Sequence, residues 1–220
     1  MIKIFISWVM LLIIVSCSGQ EDKAPFFLNE INVSINRTDL KNASTLDKWG
    51  IGLSVYRVKK DNSKLQFIFG FEYNYTRQLK KEIYETRYSY SENVLYSINN
   101  ISIPVGLRFN FLPELNWFAE LNFFFDLVNS GKRSGTMHSF IPDQNNNIVH
   151  TELKFTDKSN LSPVNFGFSP SVGCRIPVLE KKFLILKLDY KWGLLKLFST
   201  YSGQDSFFNK YFRFNMGFHF

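Results

Sequence analysis

The stretch that decides the fold is the last ten residues, "YFRFNMGFHF", 211–220. Phe212, Phe214, Met216, Phe218 and Phe220 are apolar, and Arg213, Asn215, Gly217 and His219 lie between them. A period of two sustained over such a length means a β-strand with one greasy and one polar face. In a soluble sandwich the greasy face would meet a second sheet. In a membrane barrel it would meet lipid. One strand does not choose between them, so the pattern has to be followed outward.

It recurs along the chain. Leu65, Phe67, Phe69, Phe71, Tyr73 and Tyr75 alternate with Gln66, Ile68, Gly70, Glu72, Asn74 and Thr76. Comparable rows run from Ile101 to Phe111, from Trp117 to Leu127, from Val164 to Ile176 and from Leu184 to Leu194, with shorter ones at 31–35 and 51–55. Together they predict eight strands, about 28–37, 48–58, 65–77, 93–111, 115–129, 161–178, 182–198 and 209–220. Several reach the roughly 9–11 residues that a tilted strand needs to cross a bilayer. The polar faces carry Glu72, Arg108, Glu120, Asp126, Arg175, Lys187, Asp189 and Arg213, while the other faces carry almost no charge. On a lipid-facing surface an Arg or Lys at mid-bilayer costs about 2–4 kcal/mol, whereas inside a narrow barrel the same groups can pair.

The connections alternate. Short links are expected at 59–64, 113–114 and 179–181, and longer ones at 38–47, 78–92, 130–160 and 199–208. That is the pattern of a bacterial barrel with tight periplasmic turns and longer external loops. An even strand number puts both mature termini on the periplasmic side. The expected fold is therefore all-β, an eight-stranded antiparallel up-and-down transmembrane β-barrel in the cell outer membrane of a Gram-negative envelope, spanning 28–220. A soluble lipocalin-like barrel, with the greasy face turned inward around a ligand, is the alternative. Residues 130–160, rich in Gly, Ser, Asn and Asp, read as the longest segment without periodicity, and bulges or bends are expected at Pro104 and Pro170, which lack a ladder donor.

Composition agrees. The chain has 24 Phe, 10 Tyr and 4 Trp with 20% charged residues, and its apolar residues are interleaved with polar ones instead of gathered into a second long apolar run. Trp49, Tyr73, Tyr75, Trp117, Tyr190 and Trp192, near strand ends, are candidates for an interfacial girdle. The net charge of +7 is spread over turns and loops and forms no single basic face, which argues against nucleic acid as a partner.

At the other end, Met1 to Lys3 and the apolar run from Ile4 to Val15 have the form of a signal peptide. "MLLIIVSCSGQED", 10–22, then admits two processing events. Ile14-Val15-Ser16-Cys17 resembles a lipobox, which would place a lipid on Cys17. Cleavage after Gly19, leaving Gln20 first, would discard that cysteine. The reading taken is a signal peptide over 1–19 and a short periplasmic segment over 20–27, with a lipoprotein as the alternative. Cys174 is the only other cysteine, so no internal disulfide is expected.

"YSINNISIPVGLRFNF" (96–111), "LNWFAELNFFF" (115–125) and "FGFSPSVGCRIP" (166–177) resemble the PorT-like family of small outer-membrane β-barrels. Phe220, with Phe218 two before it, is similar to the C-terminal signal read by the barrel-assembly machinery, although Asn215 stands where the fuller signal has Gly. The resemblance implies the fold, contact with outer-membrane lipid and, as one reading of its role, an accessory part in a secretion machine.

Catalytic chemistry is thin. His138, Ser139, Asp143 and His150 fall in the long third loop and His219 near the C-terminus, without a spacing that fixes a nucleophile and base. No metal-ligand spacing or phosphate-cradling loop occurs, and no cofactor is expected. The expected luminal network is Glu72, Arg108, Glu120, Arg175, Lys187, Asp189 and Arg213, with Glu120, Arg108, Arg175, Lys187 and Asp189 at similar heights. It reads as a plug, with a narrow ion path as the alternative. The expected role is a non-enzymatic scaffold presenting loops 78–92 and 130–160 to an envelope protein or a surface glycan, with a lipid-A-modifying enzyme as a further alternative.

Overall fold

The computed structural model describes residues 28–38, 49–59, 64–112, 116–142, 145, 147–159, 161–179, 182–199 and 206–220. The leader 1–19, the segment 20–27, Cys17, Gly19, Gln20 and Asp143 lie outside these. Among the described residues nine strands are formed: β1 (Glu30–Arg37), β2 (Trp49–Val58), β3 (Leu65–Thr86), β4 (Ser89–Leu112), β5 (Trp117–Pro142), β6 (Ile148–Lys158), β7 (Val164–Leu179), β8 (Lys182–Ser199) and β9 (Ser206–His219). Each pairs antiparallel with its neighbours, and the ring closes where β1 meets β9 from Glu30↔His219 to Arg37↔Phe212. Eight of the nine make that ring, and β6 stands outside it, paired with β5 alone among the described strands. The fold is the expected eight-stranded up-and-down barrel.

The two rims differ. At the lower rim, where β9 ends, the links between strands are short, as between β7 and β8. At the upper rim β3, β4 and β5 continue far past their neighbours, to 22, 24 and 26 residues. The lower half of β5 pairs with β7 from Trp117↔Cys174 to Leu127↔Val164, and its upper half turns to β6 from Lys132↔Lys158 to Pro142↔Ile148. The segment 130–160, expected to be aperiodic, is therefore mostly a β-hairpin. The physical reason is that neither face of this hairpin meets lipid, so the greasy-to-polar contrast that marks a spanning strand is not demanded there.

Pairing also corrects the expectation of a bulge at either proline. Register is constant through both: the β3–β4 pairs resume in phase from Phe69↔Val105 to Glu72↔Ser102, and the β7–β8 pairs from Phe168↔Trp192 to Ser171↔Asp189. Each proline costs local ladder bonds without inserting an extra residue. The irregularities of β4 against β5 fall elsewhere: at Asn110/Leu112 by the lower rim and, higher, at Asn99/Asn100 and between Glu92 and Leu95, where Asn93 takes φ 51°. Asn is among the few residues that adopt this left-handed conformation readily.

The alternation has the sense that lipid requires. Val33, Phe67, Leu107, Phe123, Leu188 and Met216 point outward and are exposed, while Glu72, Arg108, Asp126 and Asn215 are buried inside. Trp49, Tyr73 and Trp192 mark the top of the apolar band and Trp117 its base. Arg37 lies over the Trp49 ring at 5.1 Å and Lys210 over Trp192 at 4.6 Å, so the upper girdle carries cations on its rings. Room inside is scarce: the Tyr56 ring lies against Gly70 so closely that a Cβ there would come within 2.4 Å of it.

Phe123, 65% exposed near mid-height, separates lipid from water as the outer medium. Phe123→Arg is expected to lower the stability of the barrel refolded in bilayers by about 2–4 kcal/mol, read by denaturant titration, with Phe123→Leu close to neutral. An equal stability for the two variants would contradict a lipid-facing wall.

Candidate functional site

The lumen is built from the inward row of each strand, and its contents change with height. Near the lower rim Arg108 is the centre. Its Nη2 lies 2.8 Å from Glu30 Oε2 and 2.5 Å from Glu120 Oε1, and Lys187 Nζ donates to Glu120 Oε2 at 3.0 Å. The guanidinium of Arg108 also lies over the Phe118 ring at 4.3 Å. These groups come from β1, β4, β5 and β8, so one cluster ties together half of the ring.

The second cluster is centred on Glu72 and Arg213. The Nη1 and Nη2 atoms of Arg213 each donate to one oxygen of Glu72 at 2.8 Å, and Nε donates to Asp189 at 2.9 Å. Two-pronged pairing of this kind fixes direction as well as distance. Lys191 reaches Glu72 at 3.2 Å and Asp126 at 2.9 Å, and the Tyr56 hydroxyl donates to Glu72 at 2.5 Å. Asn215 joins the clusters, donating to Asp189 Oδ2 at 2.7 Å and to the backbone oxygen of Lys187 at 3.4 Å. Five carboxylates (Glu30, Glu72, Glu120, Asp126 and Asp189) thus face four cations (Arg108, Lys187, Lys191 and Arg213), all nearly inaccessible to solvent.

Above these ions the lumen turns apolar. Ile98, Tyr96 and Val94 continue the inward row of β4 and pack with Ile83 of β3 and Leu197 of β8, and Phe155 of β6 joins them. Leu161, in the return from β6 to β7, packs on the same cluster over Gly131, where a Cβ would come within 2.5 Å of it. Burial pushes the Tyr96 hydroxyl, above the lipid-facing band, up to about 12. The barrel is filled at three levels, in keeping with the width of an eight-stranded ring.

The structure brings six of the seven luminal candidates into these clusters: Glu72, Arg108, Glu120, Lys187, Asp189 and Arg213. Arg175 borders the lower cluster, over the Phe118 ring at 5.3 Å, but donates to the neutral Gln66 Oε1 and Asn110 Oδ1 at 2.8 Å each near the lower rim. Asp189 sits in the upper of the two ionic clusters and Arg108 in the lower, so the candidates occupy two heights. The expected network omitted Glu30, Lys191 and Asp126, the last already read on the polar face of its strand. Lys191 sits on the polar row of β8, and that position was its signal; Glu30 begins a short strand whose pattern is weak.

The loop histidines sit elsewhere. His138 and His150 stack in near-parallel rings 5.4 Å apart, with Nδ1 of one 3.1 Å from Nε2 of the other, between Tyr90 and Phe140. Glu92 lies 3.3 Å from His138 Nε2, and Ser139, one residue along, falls on the opposite face of β5. His219 is at the lower rim, 3.6 Å from Glu30. Among the described residues no three potential metal ligands converge. Phe218 pairs with Ile31 and Leu184, stacking on Phe220 at 6.4 Å, and the Phe220 amide donates to Asn29 O at 3.1 Å.

A family model described as "Outer membrane protein beta-barrel domain" matches residues 20–199. The chain belongs to this family. It is a protein of the outer membrane. Among solved structures it is similar to Neisserial surface protein A, with 10% identity over 90% of this chain and 97% of that one and a TM-score of 0.46. It is also similar to Ail, the attachment invasion locus protein of Yersinia pestis, solved with the heparin analogue sucrose octasulfate, with 10% identity over 87% and 95% and a TM-score of 0.37. No curated protein matches the sequence.

Removing Arg213 would strand Asp189 without its counter-charge and leave Glu72 with Lys191 alone. Arg213→Met is expected to destabilise the barrel by about 3–5 kcal/mol. Arg175→Met, at a half-buried position with neutral partners, is expected to cost about 1 kcal/mol or less. Denaturant titration of the refolded variants, followed by the gel shift between folded and heated barrel, checks the ranking.

Proposed function

We propose that this barrel is a non-conducting, non-enzymatic scaffold that holds the sheet β3–β4–β5–β6 outside the cell, with both mature termini in the periplasm. The observation that carries the reading is the contrast between the two halves of β5. Its lower half, from Trp117 to Leu127, closes a lumen filled by ions and an apolar plug, and its upper half belongs to an open sheet exposed to water. A filled eight-stranded ring leaves no path for solutes. Binding residues carried on a rigid support are a common use of such projecting segments. The exposed aromatic and charged groups of the sheet, among them Tyr88 and Glu152, suit an envelope protein or a surface glycan.

The short links at the end where β9 finishes support a periplasmic location for that rim, and the long hairpins support an external one for the other. Insertion by the barrel-assembly machinery, with Phe218 and Phe220 as its signal, accords with this direction. Processing after Gly19, or a lipid on Cys17, would each leave the N-terminus on the same side, and the intact mass of the mature chain distinguishes them. The PorT-like resemblance of 96–111, 115–125 and 166–177 supports an accessory role in secretion as a second reading, which unchanged secretion after gene deletion would remove.

Two measurements test the main reading. In planar bilayers the purified barrel is expected to give no stable large conductance. On intact cells, added trypsin is expected to cut β6 at Lys154 or Lys158 while the barrel stays folded. Stable channels, or a hairpin protected on cells but cut after lysis, would overturn it.

A further inference from the structure

We infer that the free edge of β6 is a docking edge for a second copy of this chain carried in a facing membrane. The inference rests on the external orientation proposed above. Among the described residues β6 pairs on one side only, and ten of its 11 residues are exposed, Phe155 being the exception. β6 contains no proline, and no bulge interrupts its ladder with β5. A long, regular, unpaired edge is a template for another strand, and proteins ordinarily blunt such edges.

The backbone says which groups are offered. Ser159 N–H donates to Gly131 O at 2.9 Å, so the odd-numbered residues of β6 turn their N–H and C=O toward β5. Ile148, His150, Glu152, Lys154, Thr156 and Lys158 therefore turn theirs to the free side. An antiparallel copy must pair even positions with even positions, and a two-fold register must centre on one residue. Centring on Glu152 or Lys154 sets like charge against itself. Centring on Leu153 pairs the whole strand, places Leu153 beside its own copy, and sets Glu152 opposite Lys154 of the copy at two symmetric places. Opposite charges directly across a ladder stabilise it and like charges destabilise it. Leu153, 54% exposed in the single chain, would be covered.

Direction then fixes the geometry. β6 runs from the tip of the hairpin, Ile148, down toward the barrel at Lys158. An antiparallel copy runs the other way, so its barrel lies beyond the first chain's tip. The two barrels stand at opposite ends of one continuous sheet, in two apposed membranes, and the contact would tether one cell or vesicle to another.

The test uses the full mature chain reconstituted in two populations of phosphatidylcholine vesicles carrying different fluorophores, with tethering read by fluorescence cross-correlation. Wild-type vesicles are expected to tether each other and to ignore protein-free vesicles. Glu152→Lys alone and Lys154→Glu alone should each cut tethering about tenfold, because both central pairs become repulsive. Mixing the Glu152→Lys population with the Lys154→Glu population should restore it, since each pair is again of opposite sign. That restoration also shows both variants to be folded. Variants that tether as well as wild type, a mixture that stays apart, or wild type that gathers protein-free lipid would overturn the inference. Trypsin added to the vesicles separates the two readings. A hairpin that is cut while vesicles stay apart defeats the pairing alone, and a hairpin protected on intact cells defeats the orientation and the pairing with it.

Discussion

A backbone N–H or C=O that faces hydrocarbon without a partner costs several kcal/mol, and the rest of this structure follows from that. The sheet can have no edge within the apolar band, so β1 must find β9, and it does so along the whole of its length. Closure with eight strands makes a ring only wide enough for its own side chains. Alternation then sends every second residue inward, and the polar set that cannot face lipid is forced into that narrow space. Where the described strands outrun their neighbours, at β6 and at the top of β3 beyond its pairing with β2, they do so above the band, where water satisfies the backbone.

The confined polar set explains why the lumen is ionic and nearly neutral. Each buried charge requires a partner, and the partners come from strands far apart in sequence. Glu30 of β1 meets Arg108 of β4, and Glu72 of β3 meets Arg213 of β9. Arg175, at the lower mouth, supplies a fifth positive charge against the five carboxylates, although it pairs with neutral side chains. Buried ion pairs of this kind add little net stability relative to a packed apolar core. Their larger effect here is on register. A slip of one residue in any strand would turn its charges into lipid and its aromatic row into the lumen, so the network penalises wrong pairings more than it rewards the right one.

The parts of this fold legible in the sequence are those on which lipid imposes a rule. The rows around Phe67, Leu107, Phe123, Leu188 and Phe214 carry a strict period of two, and the strands could be read from them to within a few residues except at the upper ends of β3 and β5, which reach Thr86 and Pro142 instead of 77 and 129. Charge on the opposite row identified the lumen. Height was harder to read, because it depends on strand tilt and stagger, which is why Arg175 shares the Phe118 ring with Arg108 yet donates to neutral acceptors, while Glu30 joined the ion pairs. The hairpin was harder still. Val149, Thr151, Leu153 and Phe155 do alternate with His150, Glu152, Lys154 and Thr156, but over a short run beside Gly-rich and Ser-rich sequence. Without lipid to demand uniformity, four residues of contrast look like any polar loop.

The boundary between the two regimes is visible in the ladder itself. From Trp117 to Val128, β5 keeps one register against β4 except where the strand begins, and the break comes where Asn99↔Ser130 gives way to Asn100↔Val128. A second break follows at Glu92/Leu95, with Asn93 in the left-handed region. A bulge bends and twists a strand and re-aims what lies beyond it. Placed inside the apolar band, it would set a polar residue toward lipid; placed just above, it frees β3, β4 and β5 from the circumference of the ring. The strands can then leave the barrel as a flatter sheet whose last member, β6, has no neighbour to close against. The same three strands thus obey closure below and abandon it above, and the edge left open there is where the molecule can add a strand that is not its own.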